Sequence, residues 1–142
     1  MRILGIDPGE KRIGLAVSDP LGITASGLET IHYAELGIAL ERITAVCEEY
    51  EISKIVVGNP INMNGSRGPA SEKAEAFAAL LREKTGLPVY LHDERLTSGR
   101  AEKLLIEGGL RREKRRRIKD KIAAALILES YMVSDTNNEN GV

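Results

Sequence analysis

The chain has 142 residues, a formal net charge of −1, 42% hydrophobic residues and 29% charged residues, values that are ordinary for a single globular domain. No segment approaches the roughly 20 apolar residues of a membrane span, and the N-terminus lacks the pattern of a secretory signal, so we expect no membrane partner. Cys47 is the only cysteine, which excludes an internal disulfide and is typical of a cytoplasmic protein.

The pattern of apolar residues predicts three strands in a meander, followed by alternating helices and strands. This arrangement is typical of a mixed α/β sheet with helices on both faces. The last helix is predicted to end near Val133, which leaves one domain at residues 1–133 and a polar, disordered tail at residues 134–142. The other predicted elements, in chain order, are strands Met1–Asp7, Ile13–Ser18 and Ile23–Ile31, helix Glu35–Tyr50, strand Ile52–Gly58, helix Pro69–Lys84, strand Val89–His92 and helix Thr97–Glu107.

Asp7, at the end of the first predicted strand, is the first candidate site residue. Pro8 and Gly9 follow it, so the chain is expected to turn sharply at this point. A buried carboxylate costs several kcal/mol unless something compensates its charge. Asp7 therefore suits a metal ligand or a general base. An Asx-turn that closes a hairpin explains the same residues equally well, and this segment alone does not decide between the two.

Acidic residues also follow the last predicted strand and lie in the last predicted helix. Asp93 and Glu94 come after a strand, and sites in open α/β sheets form at the carboxyl ends of strands. Because neighbouring strand residues point to opposite faces, only one of these two can point towards Asp7. Asp120 lies in an alanine-rich helix that can pack closely on a sheet. Taken singly, Asp93 and Glu94 could be the polar start of a helix, and Asp120 could pair with an arginine in its own helix. Taken together with Asp7, three clustered carboxylates suit Mg²⁺ or Mn²⁺.

A basic block from Arg111 to Lys121 stands out from the rest of the chain. It contains eight Lys or Arg residues and two acidic ones, whereas the remaining residues include 12 basic and 19 acidic ones. A solvated helix start is one explanation of such a block. A localised contact with a polyanion is the other, and it fits the charge asymmetry between the block and the acidic remainder.

Short motifs in a fixed order along the chain resemble those of the YqgF family, also called RuvX, of Holliday junction resolvases or pre-16S ribosomal RNA nucleases. The motifs are Gly5-Ile6-Asp7-x-Gly9-x-Lys11-Arg12-Ile13-Gly14, Val57-Gly58-x-Pro60, Asp93-Glu94-Arg95-Leu96-Thr97 and Asp120-x-x-Ala123-Ala124-x-Ile127-Leu128. The resemblance implies a ribonuclease H-like fold, with a five-stranded mixed sheet in the order 3-2-1-4-5 and flanking helices. It also implies a divalent-metal nuclease site in which Asp7, Glu94 and Asp120 are the ligands and catalytic acids, with Asp93 in reserve.

Further residues are candidates for contacts with nucleic acid. Lys11 and Arg12 follow the first strand and could hold a phosphate beside the metal. The loop 59–68 contains glycine and precedes a helix, so its backbone N–H groups could receive a phosphate. Arg95 could clamp the scissile phosphate or pair with a neighbouring acid. The full set of candidates is Lys11, Arg12, Asn59, Asn64, Gly65, Arg95, Arg112, Arg115, Arg116 and Lys119.

The function that these features favour is a metal-dependent endonuclease that hydrolyses phosphodiester bonds of structured nucleic acid. Within the resembled family, processing of the 5′ end of pre-16S rRNA is our first expectation, and cleavage of branched DNA at a Holliday junction is the alternative. A non-catalytic RNA-binding protein of ribosome assembly, with structural acids, is a third hypothesis. An actin-like ATPase or sugar kinase also opens with an Asp-x-Gly turn, but that class needs two such domains. The chain is expected to be a monomer or a homodimer. Cutting both strands of a junction would require a two-fold dimer.

Overall fold

The computed structural model describes residues 2–60, 65, 68–93 and 112–140 of the chain, with the side chains of the last helix described at residues 119–134. Five strands and three helices are formed in these ranges. They are β1 (Arg2–Asp7), β2 (Arg12–Ser18), β3 (Ala25–His32), α1 (Leu36–Glu49), β4 (Ile52–Asn59), α2 (Pro69–Thr85), β5 (Val89–Asp93) and α3 (Arg112–Asn140). The predicted helix Thr97–Glu107 lies outside the described residues.

The strands form one mixed sheet in the order β3-β2-β1-β4-β5, which confirms the predicted order. β1 is antiparallel to β2, and β2 is antiparallel to β3, so the first three strands form the predicted meander. β1, β4 and β5 run parallel to one another, so their carboxyl ends meet at one edge of the sheet. Asp7 ends β1 and Asp93 ends β5 at this edge.

Each face of the sheet carries its own apolar core. α1 and α2 cover one face, where their buried side chains pack against those of the sheet in the larger cluster. α3 crosses the other face, where Ala124, Leu128 and Met132 pack with Ala16 of β2. The backbone of α3 comes very close to the sheet, since a Cβ atom added to Gly5 would lie 2.9 Å from the carbonyl oxygen of Ala124. The prediction of a helix that packs closely on the sheet is therefore confirmed.

α3 differs from its predicted extent at its C-terminal end. The predicted end near Val133 is wrong, because the helix continues to Asn140. Once a helix is formed, each further residue adds one hydrogen bond, and residues 134–140 contain no Gly or Pro to stop it. The basic block lies within α3 from Arg112 onwards. The division into a domain at 1–133 and a disordered tail at 134–142 stays a prediction.

No helix in the described part of the chain is long and apolar enough to cross a membrane.

Candidate active site

Asp7 and Asp120 lie on the same face of the sheet, next to the end of β1. Asp7 is paired with Gly14 of β2, and a Cβ atom on Gly14 would lie 2.1 Å from the carbonyl oxygen of Asp120. Gly5 faces α3, so the alternation of side chains along β1 directs Asp7 to the α3 face as well. The close passage of α3 over β2 thus brings together two acids that are more than a hundred positions apart in sequence.

The Asp120 carboxylate is mostly buried and is partly neutralised by a neighbouring arginine. Its side chain is 16% exposed, and its Oδ2 atom lies 3.3 Å from Nε of Arg12. This oxygen is buried, yet it accepts no hydrogen bond from any group that the structure describes. Burial raises the pKa of Asp120, and the neighbouring charges of Arg12, His32 and Lys119 act in the opposite direction with smaller effects. A buried carboxylate oxygen without a hydrogen bond is the kind of atom that a cation would stabilise.

The two acids at the end of β5 are separated by the geometry of the sheet. Tyr90 and His92 face α3, because both contact side chains of that helix. Alternation therefore directs Asp93 to the opposite face, away from Asp7. This orientation favours Glu94 over Asp93, and the reserve role of Asp93 stays a prediction. Glu94 lies outside the described residues, so its role as the third ligand stays a prediction.

A complete metal site is not present among the residues that the structure describes, since no group of three or more His, Cys, Asp or Glu side chains is found there. Asp7 and Asp120, which lie on the same face beside the end of β1, are two of the three predicted ligands. Hard carboxylate oxygens at this place suit Mg²⁺ or Mn²⁺ better than the softer metals. The donor set and the buried Oδ2 atom of Asp120 therefore fit a divalent cation.

The predicted nucleic-acid-binding residues have different environments. Lys11 is exposed just before β2, and Arg12 is the partner of Asp120. Asn59 is only 8% exposed, and its Oδ1 atom accepts a hydrogen bond of 2.7 Å from the hydroxyl of Ser71 in the first turn of α2. This contact gives Asn59 a structural role on the face opposite Asp7, and its predicted contact with nucleic acid is untested.

The remaining candidates lie in the loop before α2 and in the basic block. Gly65 adopts a φ of 87°, a backbone conformation that favours glycine. Lys119 is partly buried at the beginning of the described side chains of α3. Outside the described residues or side chains are Asn64, Arg95, Arg112, Arg115 and Arg116.

Two contacts near the site were not foreseen from the sequence. Nε2 of His92 lies 2.8 Å from the hydroxyl oxygen of Ser130, and this contact ties the end of β5 to α3. Burial lowers the pKa of His92, which favours its neutral form. The hydroxyl of Tyr33 donates a hydrogen bond of 2.5 Å to the carbonyl oxygen of Gly9, and so holds the turn that follows Asp7. The alternation of Tyr90 and His92 along β5 could have indicated the first contact, but no local pattern indicates the second.

A cavity of about 950 Å³ opens on the other face of the sheet, between α2 and the segment that follows β1. Its walls are mainly apolar, and Glu10 and Lys73, which form an ion pair of 3.0 Å, are the charged side chains among the described lining residues. Asp7 and Asp120 face the opposite side of the sheet, so this cavity is not the candidate metal site.

Comparison with known proteins identifies the family. Residues 1–134 match the family model RuvX, described as Holliday junction resolvase. A protein of Geobacillus kaustophilus named "Putative pre-16S rRNA nuclease" is 54% identical over 136 residues, which cover 94% of this chain and 99% of the relative. A protein of Listeria monocytogenes serotype 4b with the same name is 48% identical over 140 residues, which cover 97% of this chain and all of the relative. RuvC of T. thermophilus, solved in complex with a Holliday junction substrate, is 21% identical, with a TM-score of 0.60 over 96% of each chain, and shares the ribonuclease H-like fold. The chain therefore belongs to the RuvX family.

Proposed function

We propose that this protein is a divalent-metal-dependent endonuclease that hydrolyses phosphodiester bonds of structured nucleic acid, and that its substrate is the 5′ end of pre-16S rRNA. The observation that carries the proposal is the buried Oδ2 atom of Asp120, which accepts no hydrogen bond from the described groups and lies beside the end of β1, where Asp7 is. The choice of substrate is supported by the names of relatives that are about half identical to this chain over nearly its whole length.

Asp7, Glu94 and Asp120 would hold the cation, which we propose to be Mg²⁺ or Mn²⁺. When bound, such an ion polarises a phosphoryl oxygen and lowers the pKa of a coordinated water. Asp7 is well suited to be a fixed metal ligand, because the three strand residues that precede it, Leu4, Gly5 and Ile6, are buried. Asp120 is supported in the same way by the close contact between α3 and Gly14.

The positive charges of the chain would bind the backbone of the nucleic acid. Arg12 is next to Asp120, so it is the cation nearest to a phosphate that approaches the proposed ligands, among the contacts that the structure describes. The basic block begins α3, the helix that also carries Asp120. Contacts between this block and phosphates would release counterions, which predicts that binding weakens steeply as salt rises.

The second candidate function is cleavage of a DNA junction, because the family model is described as Holliday junction resolvase. Phosphate contacts and carboxylates carry no information that separates RNA from DNA. A resolvase would act as a homodimer, whereas a ribosomal RNA nuclease could act as a monomer. A purely structural set of acids is less well supported, because the buried Oδ2 atom of a structural Asp120 would be expected to accept a hydrogen bond, and none is found among the described groups.

The test compares cleavage of three labelled substrates by the purified protein: a pre-16S rRNA leader, a four-way DNA junction and single-stranded RNA. Reactions contain Mn²⁺, Mg²⁺ or EDTA, and the variants are Asp7→Asn, Glu94→Gln and Asp120→Asn. Asp93→Asn is the matched control, since Asp93 lies on the opposite face. We expect metal-dependent cleavage of the leader that is lost in the three variants and kept in the control. Absence of metal-dependent cleavage of every substrate would disprove the enzymatic proposal.

We also propose that the protein acts in the cytoplasm, because ribosomal RNA precursors are processed there in bacteria, and its curated relatives are bacterial.

A further inference from the structure

Arg12 occupies a special place at the mouth of the candidate site. It is the first residue of β2, two positions before Gly14, the partner of Asp7, and it therefore lies just beyond the end of β1. Because side chains alternate along β2, Arg12 lies on the α3 face, as Gly14 does. The side chain of Arg12 is 35% exposed, whereas that of Asp120 is 16% exposed. The guanidinium is therefore more accessible to solvent than the carboxylate it neutralises, whose Oδ2 atom is buried.

The contact between Arg12 and Asp120 is an ion pair without a hydrogen bond. Nε of Arg12 is 3.3 Å from Oδ2, yet this oxygen has no hydrogen-bond partner among the described groups. The ion pair of Arg42 with Glu29 is different, because it is bidentate, with hydrogen bonds of 2.6 and 3.0 Å. Arg12 thus neutralises the charge of Asp120 but leaves the lone pairs of Oδ2 available to a second cation.

We propose that Arg12 is an exchangeable counter-ion of Asp120: a divalent cation takes over Oδ2, and the displaced guanidinium then binds a phosphate of the substrate. The inference rests on the proposed metal-dependent function. An arginine next to a doubly charged ion is repelled by it, and a phosphate that approaches the same ion offers the guanidinium a bidentate partner. The exchange makes binding of metal and binding of nucleic acid depend on each other.

A different role of Arg12 would reverse the expected change in metal affinity when the arginine is replaced. If the arginine serves only to keep Asp120 ionised, it assists metal binding, and its removal weakens the affinity for metal. If it competes with the cation, its removal strengthens that affinity. The two roles predict opposite changes in metal affinity, which is measured at about pH 8, well above the ordinary pKa of an aspartate.

The first measurement is the affinity for Mn²⁺, by titration calorimetry at that pH, of the full-length protein and its variants. Loss of a partly exposed ion pair, together with the loss of charge repulsion, predicts that Arg12→Gln binds Mn²⁺ about fivefold more tightly. Arg12→Lys keeps the charge and is expected to bind Mn²⁺ much as the unsubstituted protein does. Arg42→Gln removes an arginine from a remote ion pair and is the matched control, with no expected change.

The outcomes separate the inference from the function on which it rests. Failure of the unsubstituted protein to bind Mn²⁺, or binding that Asp120→Asn leaves intact, overturns the metal site and the inference with it. Binding that Asp120→Asn abolishes, but that Arg12→Gln leaves unchanged or weakens, overturns the inference alone. Thermal unfolding of each variant verifies that it is folded, and Arg12→Ala, for which the same gain in Mn²⁺ affinity is expected, replaces Arg12→Gln if that variant is not.

The second measurement tests the transfer of Arg12 to a phosphate. The affinity for a short fluorescein-labelled single-stranded RNA is measured by anisotropy in EDTA and in Ca²⁺, a cation with oxygen ligands and flexible coordination geometry. We expect Ca²⁺ to strengthen RNA binding by the unsubstituted protein more than by Arg12→Gln, because only the former releases a guanidinium. An equal effect of Ca²⁺ on the two proteins would show that Arg12 is not transferred.

Discussion

Replacing Gly14 with alanine tests whether the contact between β2 and α3 positions the Asp120 carboxylate. A Cβ atom at this position would lie 2.1 Å from the carbonyl oxygen of Asp120 and 2.5 Å from its carbonyl carbon, and both atoms belong to the backbone. Ordinary contact begins at 3.4 Å, so β2 and α3 must separate by about 1.3 Å. Overpacking of this kind costs about 2 kcal/mol of the free energy of unfolding.

The same displacement moves Asp120 relative to Asp7. A shift of about 1 Å in a catalytic group lowers rates by about a hundredfold, and loss of support for a metal ligand weakens metal binding by about tenfold. We expect both losses in Gly14→Ala. The measurements are urea unfolding, Mn²⁺ titration and cleavage of the pre-16S rRNA leader.

Two other glycines provide matched controls for this prediction. Alanine at Gly5 would lie 2.8 Å from Cβ of Leu128, so it should destabilise the protein while affecting Mn²⁺ affinity less than Gly14→Ala does. Alanine at Gly37 meets nothing within 4 Å and lies in α1, where it should stabilise the protein by about 0.5 kcal/mol. If Gly14→Ala loses stability but keeps its Mn²⁺ affinity and its rate of cleavage, the contact does not position Asp120 and the reasoning is refuted.

Three further predictions concern charge, burial and salt. Burial raises the pKa of Asp120, so ionisation of this carboxylate makes folding less favourable at any pH above the ordinary pKa of aspartate. Asp120→Asn should therefore raise the melting temperature of the metal-free protein at neutral pH. This gain should vanish as the pH falls below the ordinary pKa of aspartate; a gain that persists in acid would contradict the assigned cause. Asn59→Ala removes the buried acceptor of Ser71 and should cost about 1–3 kcal/mol in urea unfolding without weakening RNA binding, whereas lower RNA affinity at unchanged stability would favour the predicted phosphate contact. The double variant Arg115→Gln, Arg116→Gln should reduce the slope of log K against log salt by about 0.7 for each lost phosphate contact, and an unchanged slope would place the binding surface elsewhere.

Part of the site could be predicted because it depends on local patterns. The buried run that ends at Asp7, followed by Pro8 and Gly9, indicates a strand end at a sharp turn, and β1 ends there. The basic block is equally visible in the sequence, because charge does not depend on the fold. The predicted end of α3 was wrong, since polarity alone does not stop a helix when no Gly or Pro interrupts it.

Other features of the site depend on which elements pack together. The sequence indicates that only one of Asp93 and Glu94 can point towards Asp7, but the choice against Asp93 required the contacts of β5 with α3. Asn59 begins a stretch that the sequence predicts to be a phosphate-binding loop, yet in the structure it ends β4 and its side chain is buried against α2. No spacing rule relates Arg12 to Asp120, because their pairing depends on the path of α3 across β2.

The strands, the turn after Asp7, the family motifs and the concentration of positive charge around Asp120 can all be recognised in the sequence alone. Periodicity, turn residues and charge are properties of neighbouring residues, so they can be recognised without the fold. The packing of Asp120 over Gly14 beside Asp7 follows from the fold, as does the position of its buried Oδ2 atom, which faces Arg12 and has no hydrogen bond among the described groups. These relations join residues that are far apart in the chain, and they exist because α3 comes close enough to the sheet for only glycine to fit beneath it.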